Sequence, residues 1–461
     1  MYLKRLRELT IFAALVCVVG FASTAQGQDT PNPGGVQIDP SGLFQSNMRF
    51  DLSGDLDRQR LNAAQAKLNK EIQVSSPLRK ISLNRLEAAY RKCKESGKPI
   101  PAEMEYLAGI TRLTHVFFFP ETKDIVIAGP AEGFFQSSQE RVVGMTSGKA
   151  VLRLEDLIVA LRAFSPEKRP TNVISCSIDP TQQGLANLNR AVKDVKNRVS
   201  ANGFGNTSAN EIAAYFQQAM GLQTITVKGV SPKTHFAQVL VDADYHMKLI
   251  GIGLERAPVR ITSFIEKAKT GSTSSLQRWF FQPNYECIRV SEDENGMQLS
   301  GGGVKLVGED ESVSNSGVRK RKGKSSRASR TFTSSFTKMY DALADRMALY
   351  AQLRNVIDLS IAAAFIQEMD YYGQAGWNLE YFGDESKVSV ERFNAPTKVN
   401  AAINAVWKNG LLLTPIGGGV NIQPRIALRQ DNMKVDESGA ISKAKRSINV
   451  TDLQQSQWWW D

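Results

Sequence analysis

The residues best suited to chemistry are Asp242, Asp244 and His246, in the run Asp-Ala-Asp-Tyr-His. In an extended chain alternate residues share a face, so both carboxylates and the imidazole would point one way while Ala243 and Tyr245 point the other. Two carboxylates and an imidazole can hold a divalent ion, or divide acid and base work between them. If instead Asp242 caps a helix that starts at Ala243, the three disperse around a cylinder and do neither. The capping arrangement is the expected one. No catalytic residue and no metal ligand is therefore assigned, and Asp242, Asp244 and His246 stand as the candidates a structure must place.

Two further groups suit binding rather than reaction. Residues 318–330 carry Arg319, Lys320, Arg321, Lys322, Lys324, Arg327 and Arg330 with no acid. Such a density of cations suits an acidic polymer, while the interspersed Gly and Ser suit a solvated flexible insertion. The formal charge is +11, from 57 Lys and Arg against 46 Asp and Glu, so this one segment supplies most of the excess. A localised excess weakens the case for a nucleic-acid-binding fold. Trp458, Trp459 and Trp460 are adjacent and cannot all face one side of a strand or helix. They offer either an interface for a partner or membrane, or a docking edge for their own domain.

Other chemistry is excluded by spacing. Residues 144–150 fall one residue short of a phosphate loop, lack its magnesium-binding hydroxyl, and lead into an expected strand rather than a helix. There is no Gly-x-Ser-x-Gly elbow. The Ser-x-x-Lys spacing of Ser335 and Lys338 recurs at Ser165 and Ser442, which shows how little it specifies. Cys93, Cys176 and Cys287 lack metal-site spacing and permit at most one disulfide. His115 sits between Leu113 and Phe117 on an apolar face, as a core histidine would.

The elements that must position these residues follow from periodicity. Lys4, Arg5 and Arg7, the apolar run 11–22 and Ala25-Gln26-Gly27 have the three parts of a signal peptide over 1–27; the run is short for a membrane span. A secreted or periplasmic protein is expected, with no transmembrane segment after signal removal and 356–366 as a buried helix. Residues 28–55 read as a flexible lead-in. Residues 56–307 read as a helical start plus a central α/β or α+β region. Within it we expect a strand at 172–178, helices at 181–199 and 208–220, and strands at 222–228 and 234–242. Residues 308–330 read as a charged flexible loop. Residues 331–430 combine a helical stretch near 331–372, broken near Asp345, with a small α/β unit: strand 378–382, helix 397–408, strand 411–416. A polar tail, 431–461, ends in Trp-Trp-Trp-Asp. The fold class is α+β or α/β, multi-part with mixed sheets, and 42% hydrophobic against 22% charged residues excludes a fibrous or wholly disordered chain.

Residues 173–180, Val-Ile-Ser-Cys-Ser-Ile-Asp-Pro, lead into Gly184-Leu185, and residues 241–248, Val-Asp-Ala-Asp-Tyr-His-Met-Lys, precede Ile-Gly-Ile-Gly-Leu at 250–254. With Arg278-Trp279-Phe280 and the tryptophan triplet they resemble a secreted domain-of-unknown-function family found as paralogues in planctomycete bacteria. The resemblance covers 172–307. It implies export and carries over no catalytic residue. The expected function is that of a non-enzymatic envelope or extracellular interaction protein without a cofactor. Its partner would be an envelope component or an acidic polymer, not a specific nucleic acid. The alternative is a secreted hydrolase or metal-dependent enzyme using Asp242, Asp244 and His246.

Overall fold

Strict alternation at 174–179 puts Ile174, Cys176 and Ile178 on one face of a strand, and in the computed structural model those three side chains are buried while Ser175, Ser177 and Asp179 are not. The structure describes residues 33–46, 51, 53–167, 171–202, 209–269, 275–407, 411–446, 450–454 and 456–461. The expected signal peptide, 1–27, lies outside the described residues.

The chain is α+β. Nine strands make the larger sheet: β1 (Val36–Ile38), β2 (Leu43–Ser46), β3 (Ile174–Asp179), β4 (Gln223–Lys228), β5 (Ser275–Pro283), β6 (Val304–Val313), β7 (Arg319–Arg321), β8 (Lys398–Val399) and β9 (Ile416–Ile422). Their spatial order is β1-β2-β8-β4-β3-β9-β5-β6-β7. The pairs β2–β8 and β5–β9 are parallel and the rest antiparallel. A second, seven-stranded sheet is centred on His115–Phe119 and Asp124–Ala131.

Four helices build the core and the candidate sites: α1 (Leu154–Ala163), α2 (His235–Gly251), α3 (Arg327–Lys338) and α4 (Ala348–Glu368). Trp279 and Phe281 of β5 point at α3, where Trp279 meets Phe332 with ring centroids 4.5 Å apart and Phe281 meets Phe336 at 5.5 Å. Helix α4 is long and apolar enough to cross a membrane, yet its apolar window is wholly buried, as the core helix of a globular unit is. Gly418 of β9 has φ +136°, and a Cβ there would lie 1.9 Å from the Trp279 carbonyl oxygen. Only glycine lets β9 run between β3 and β5 at this spacing.

The strand–helix–helix–strand order at 174–228 and the helical break near Asp345 match expectation: Ala344 ends one helix and Ala348 begins α4. Four expectations are corrected. The segment 234–242 is helical, because it is half of α2, whose buried acidic and basic side chains pair at i,i+4. The lead-in contributes β1 and β2, since Val36, Ile38 and Phe44 bury against the core. The charged segment 308–330 is the β6–β7 hairpin and the start of α3, because Arg319 finds carboxylates on β6 and β3. The helix expected at 397–408 is replaced by β8 and a short strand, Ala405–Trp407, while 378–382 is a turn in which Leu379 takes φ 54°. Of the two alternatives for the tryptophan triplet, the tail takes the docking one: Trp459–Trp460 pairs antiparallel with Ser76–Ser82. Strands from the lead-in, the central region, the charged segment and the C-terminal module thus share one sheet, and Pro33–Asp461 forms one compact unit.

Candidate functional site

Helix α2 begins at its cap, Thr234, whose hydroxyl accepts the Ala237 amide at 3.2 Å. Nearly the whole helix is buried, so its polar side chains need partners. The run Asp-Ala-Asp-Tyr-His-Met-Lys contains two interleaved acid–base pairs, Asp242 with His246 and Asp244 with Lys248, each one helical turn long. Two residues of offset rotate the second pair about 200° from the first. The structure therefore brings Asp242 and His246 together and sets Asp244 on another face.

Around Asp242 four elements converge. Arg141, buried between strands, donates to Asp242 Oδ2 at 2.6 Å and also to the Gln352 side chain of α4. Ser46, the last residue of β2, donates its hydroxyl to Asp242 Oδ1 at 2.8 Å and lies 2.9 Å from His246 Nε2. The other imidazole nitrogen, Nδ1, bonds to the Glu255 carboxylate. Burial opposes both charges here, and the mutual contact outweighs it. Desolvation pulls His246 down, but hydrogen bonding and charge from Asp242, then from Glu255, push it up to about 10. Asp242 stays below the ordinary carboxylate range through His246 and Arg141, despite its desolvation.

Asp244 and Lys248 are fully buried beneath β3, 2.7 Å apart, and the ammonium also donates to the Ile178 carbonyl at 2.9 Å. Desolvation raises Asp244 to about 6 against the pull of Lys248. A third pair anchors the start of the helix, His235 Nδ1 at 2.8 Å from Asp156 of α1. By contrast His115 is pushed down to about 4, first by burial and then by Lys80. It is the neutral core histidine its apolar neighbours imply.

The chain Ser46–His246–Glu255 has the hydroxyl–imidazole–carboxylate order of a nucleophile relay, but its protons are in the wrong places. An imidazolium donates from both nitrogens and cannot take the Ser46 proton, which is already donated to Asp242. Two cations, Arg141 and His246, balance two anions, Asp242 and Glu255. The arrangement clamps β2, α2 and α4 together. Among the described residues no group of three His, Cys, Asp or Glu side chains is placed to hold a metal ion. The partners of Asp242 lie about a hundred and two hundred residues away and were beyond sequence reasoning. The helix from Ala243 was expected; that Asp242 lies inside it, with Thr234 as the cap, was not, and acid-then-base at i,i+4, twice over, was the missed signal.

Residues 176–264 match DUF1598, a protein family of unknown function. No curated protein and no solved structure matches the chain. The DUF1598 segment takes in most of β3, then β4 and α2, and so supplies Asp242, Asp244, His246, Lys248 and Glu255. It does not contain Ser46, Arg141 or Gln352, so its polar helix is completed by the surrounding chain.

The two binding candidates fare differently. On the hairpin, Arg319 is committed to Glu311 and to Asp179, and Arg278 on β5 joins the same two carboxylates. Lys320, Arg321, Lys322 and Lys324 are exposed, as are Arg327 and Arg330 on the first turn of α3. Trp458 and Trp460 are buried, and the indole of Trp459 lies under the Arg79 guanidinium, 4.8 Å from its centroid. Arg79 in turn binds both carboxylate oxygens of Asp461, at 2.8 and 3.1 Å. The triplet is thus engaged with its own chain.

Proposed function

We propose that this is an exported, non-enzymatic interaction protein of the envelope or extracellular space that binds an acidic polymer through the 319–330 hairpin and helix start. The observation that carries the reading is the ordered row of exposed cations Lys320, Arg321, Lys322 and Lys324, with Arg327 and Arg330 beside it. Pairing of Ser312 with Lys320 and Glu311 with Arg321 fixes these two cations on a sheet edge, the Lys322 amide donates to the Asp310 carbonyl at 3.0 Å, and Lys324 lies in the bend that follows. Arg319, pinned by Asp179 and Glu311, anchors its base. A fixed row loses less entropy on binding than a flexible loop would. Glu309 lies 3.8 Å from Arg321, a pair too loose and too exposed to cancel the field of the row. The outer face of the sheet next to the hairpin adds Lys228, Phe280, Asn421 and Gln423 around a cleft of about 610 Å³. Hydrogen-bonding and apolar groups there complement the cations, as a polysaccharide surface requires.

The test is retention on a heparin matrix. The protein should elute well above the salt that releases a neutral control. Lys320→Glu, Lys322→Glu and Lys324→Glu combined should lower affinity at least about tenfold and flatten its salt dependence, with the melting temperature unchanged. Equal retention of the triple variant would refute the assignment.

A further inference from the structure

A small cavity unrelated to the hairpin lies where α1, the helix Leu83–Glu95 and the segment after residue 387 meet. Its volume is about 180 Å³. The floor is apolar: Leu154 and Ile158 of α1 with Val388 and Val390, all buried. Tyr90 and Tyr106 form the walls. Tyr90 is held edge-on by Phe382 at 5.6 Å, and Tyr106 carries the Arg153 guanidinium 5.8 Å above its ring. Apolar floor, aromatic walls and a few placed polar groups are the features of a small-molecule site.

The charges at the mouth are of two kinds. Arg153 and Glu155 form an ion pair with each other. Glu105 and Arg392 do not pair. Among the described residues, nothing lies within hydrogen-bond or ion-pair distance of the Glu105 carboxylate, and Arg392 spends only its Nε, on the Ser389 carbonyl at 2.8 Å. Desolvation raises the Glu105 carboxyl while Arg392 and Arg153 pull it back, so the two rim charges feel each other without touching. An open anion and an open cation above an apolar slot are complementary to a molecule with an ammonium, a carboxylate and an apolar side chain.

We propose that this cavity binds a free α-amino acid with an apolar side chain. The ammonium meets Glu105, the carboxylate meets the outer nitrogens of Arg392, and the side chain lies on Leu154 and Val390 between the two tyrosines. The volume suits leucine or phenylalanine. The site is independent of the polyanion surface, so either assignment survives failure of the other.

Calorimetric titration of the full chain with L-leucine and L-phenylalanine tests it. Saturable binding below about 1 mM is expected. Phenethylamine, which lacks the carboxylate, and 3-phenylpropionate, which lacks the ammonium, should each bind at least about tenfold more weakly, the cost of one charge-assisted contact. Glu105→Gln and Arg392→Gln are exposed-site changes that should leave the thermal unfolding curve in place. Glu105→Gln should erase the preference over 3-phenylpropionate, and Arg392→Gln the preference over phenethylamine. Absence of binding by both amino acids, binding of the two truncated analogues as tight as that of phenylalanine, or unchanged selectivity in the two variants would each overturn the proposal.

Discussion

His246 should make the stability of this protein fall as the solution becomes alkaline. In the folded chain the imidazolium is held between Asp242 and Glu255, with its folded pKa at about 10 against an ordinary 6.5. A folded pKa above the unfolded one means that the charged form stabilises the fold. That contribution is complete below about pH 6.5 and is lost as pH rises through about 10. The full difference corresponds to about 5 kcal/mol, released at about 1.4 kcal/mol per pH unit in between. The side chain is almost entirely buried, so solvent screening removes little of it. His246→Gln deletes the titration and leaves Asp242 and Glu255 short of a cation, at a cost of about 3–5 kcal/mol at pH 7. Denaturant unfolding of both proteins at pH 7, 8 and 9, followed by tryptophan fluorescence, gives the difference directly, with other titrating groups cancelling. The gap between the proteins should narrow by about 2–3 kcal/mol from pH 7 to 9. A gap that stays constant would show that the imidazole is neutral in the fold. His246 would then be free to act as the base of a Ser46–His246–Glu255 relay.

Two other perturbations test the framework. Gly418→Ala places a methyl group 1.9 Å from the Trp279 carbonyl at a φ of +136°; it should cost more than about 4 kcal/mol or abolish folding, and a soluble variant with an unshifted melt would contradict the strand spacing. Asp461→Ala leaves the buried Arg79 guanidinium with backbone carbonyl acceptors alone. Because Asp461 is itself 43% exposed, the loss should be about 1–2 kcal/mol rather than the larger figure for a fully buried pair, read as a lower denaturant midpoint together with altered Trp459 emission.

Much of the fold was legible because it is written in local period. The alternation of Ile174, Cys176 and Ile178, and the i, i+3, i+7 series Leu185, Leu188 and Val192, specify a strand and a helix whatever surrounds them. The break near Asp345 and the burial of 356–366 follow from the same kind of pattern. The cations of 319–330 are likewise evident from composition alone.

What composition could not supply was the partner of each polar group, and the errors trace to that. Residues 234–242 alternate well enough to pass for a strand, yet Asp242 and Asp244 can be buried only where His246, Lys248 and Arg141 compensate them. The same holds for Arg319, whose carboxylates on β3 and β6 turn an apparent loop into a strand, and for Arg79, which fastens the tryptophans to the sheet edge. Period is a property of neighbours in the chain, so the sequence alone carries it. Compensation of buried charge depends on which distant segments meet, and only the folded chain decides that.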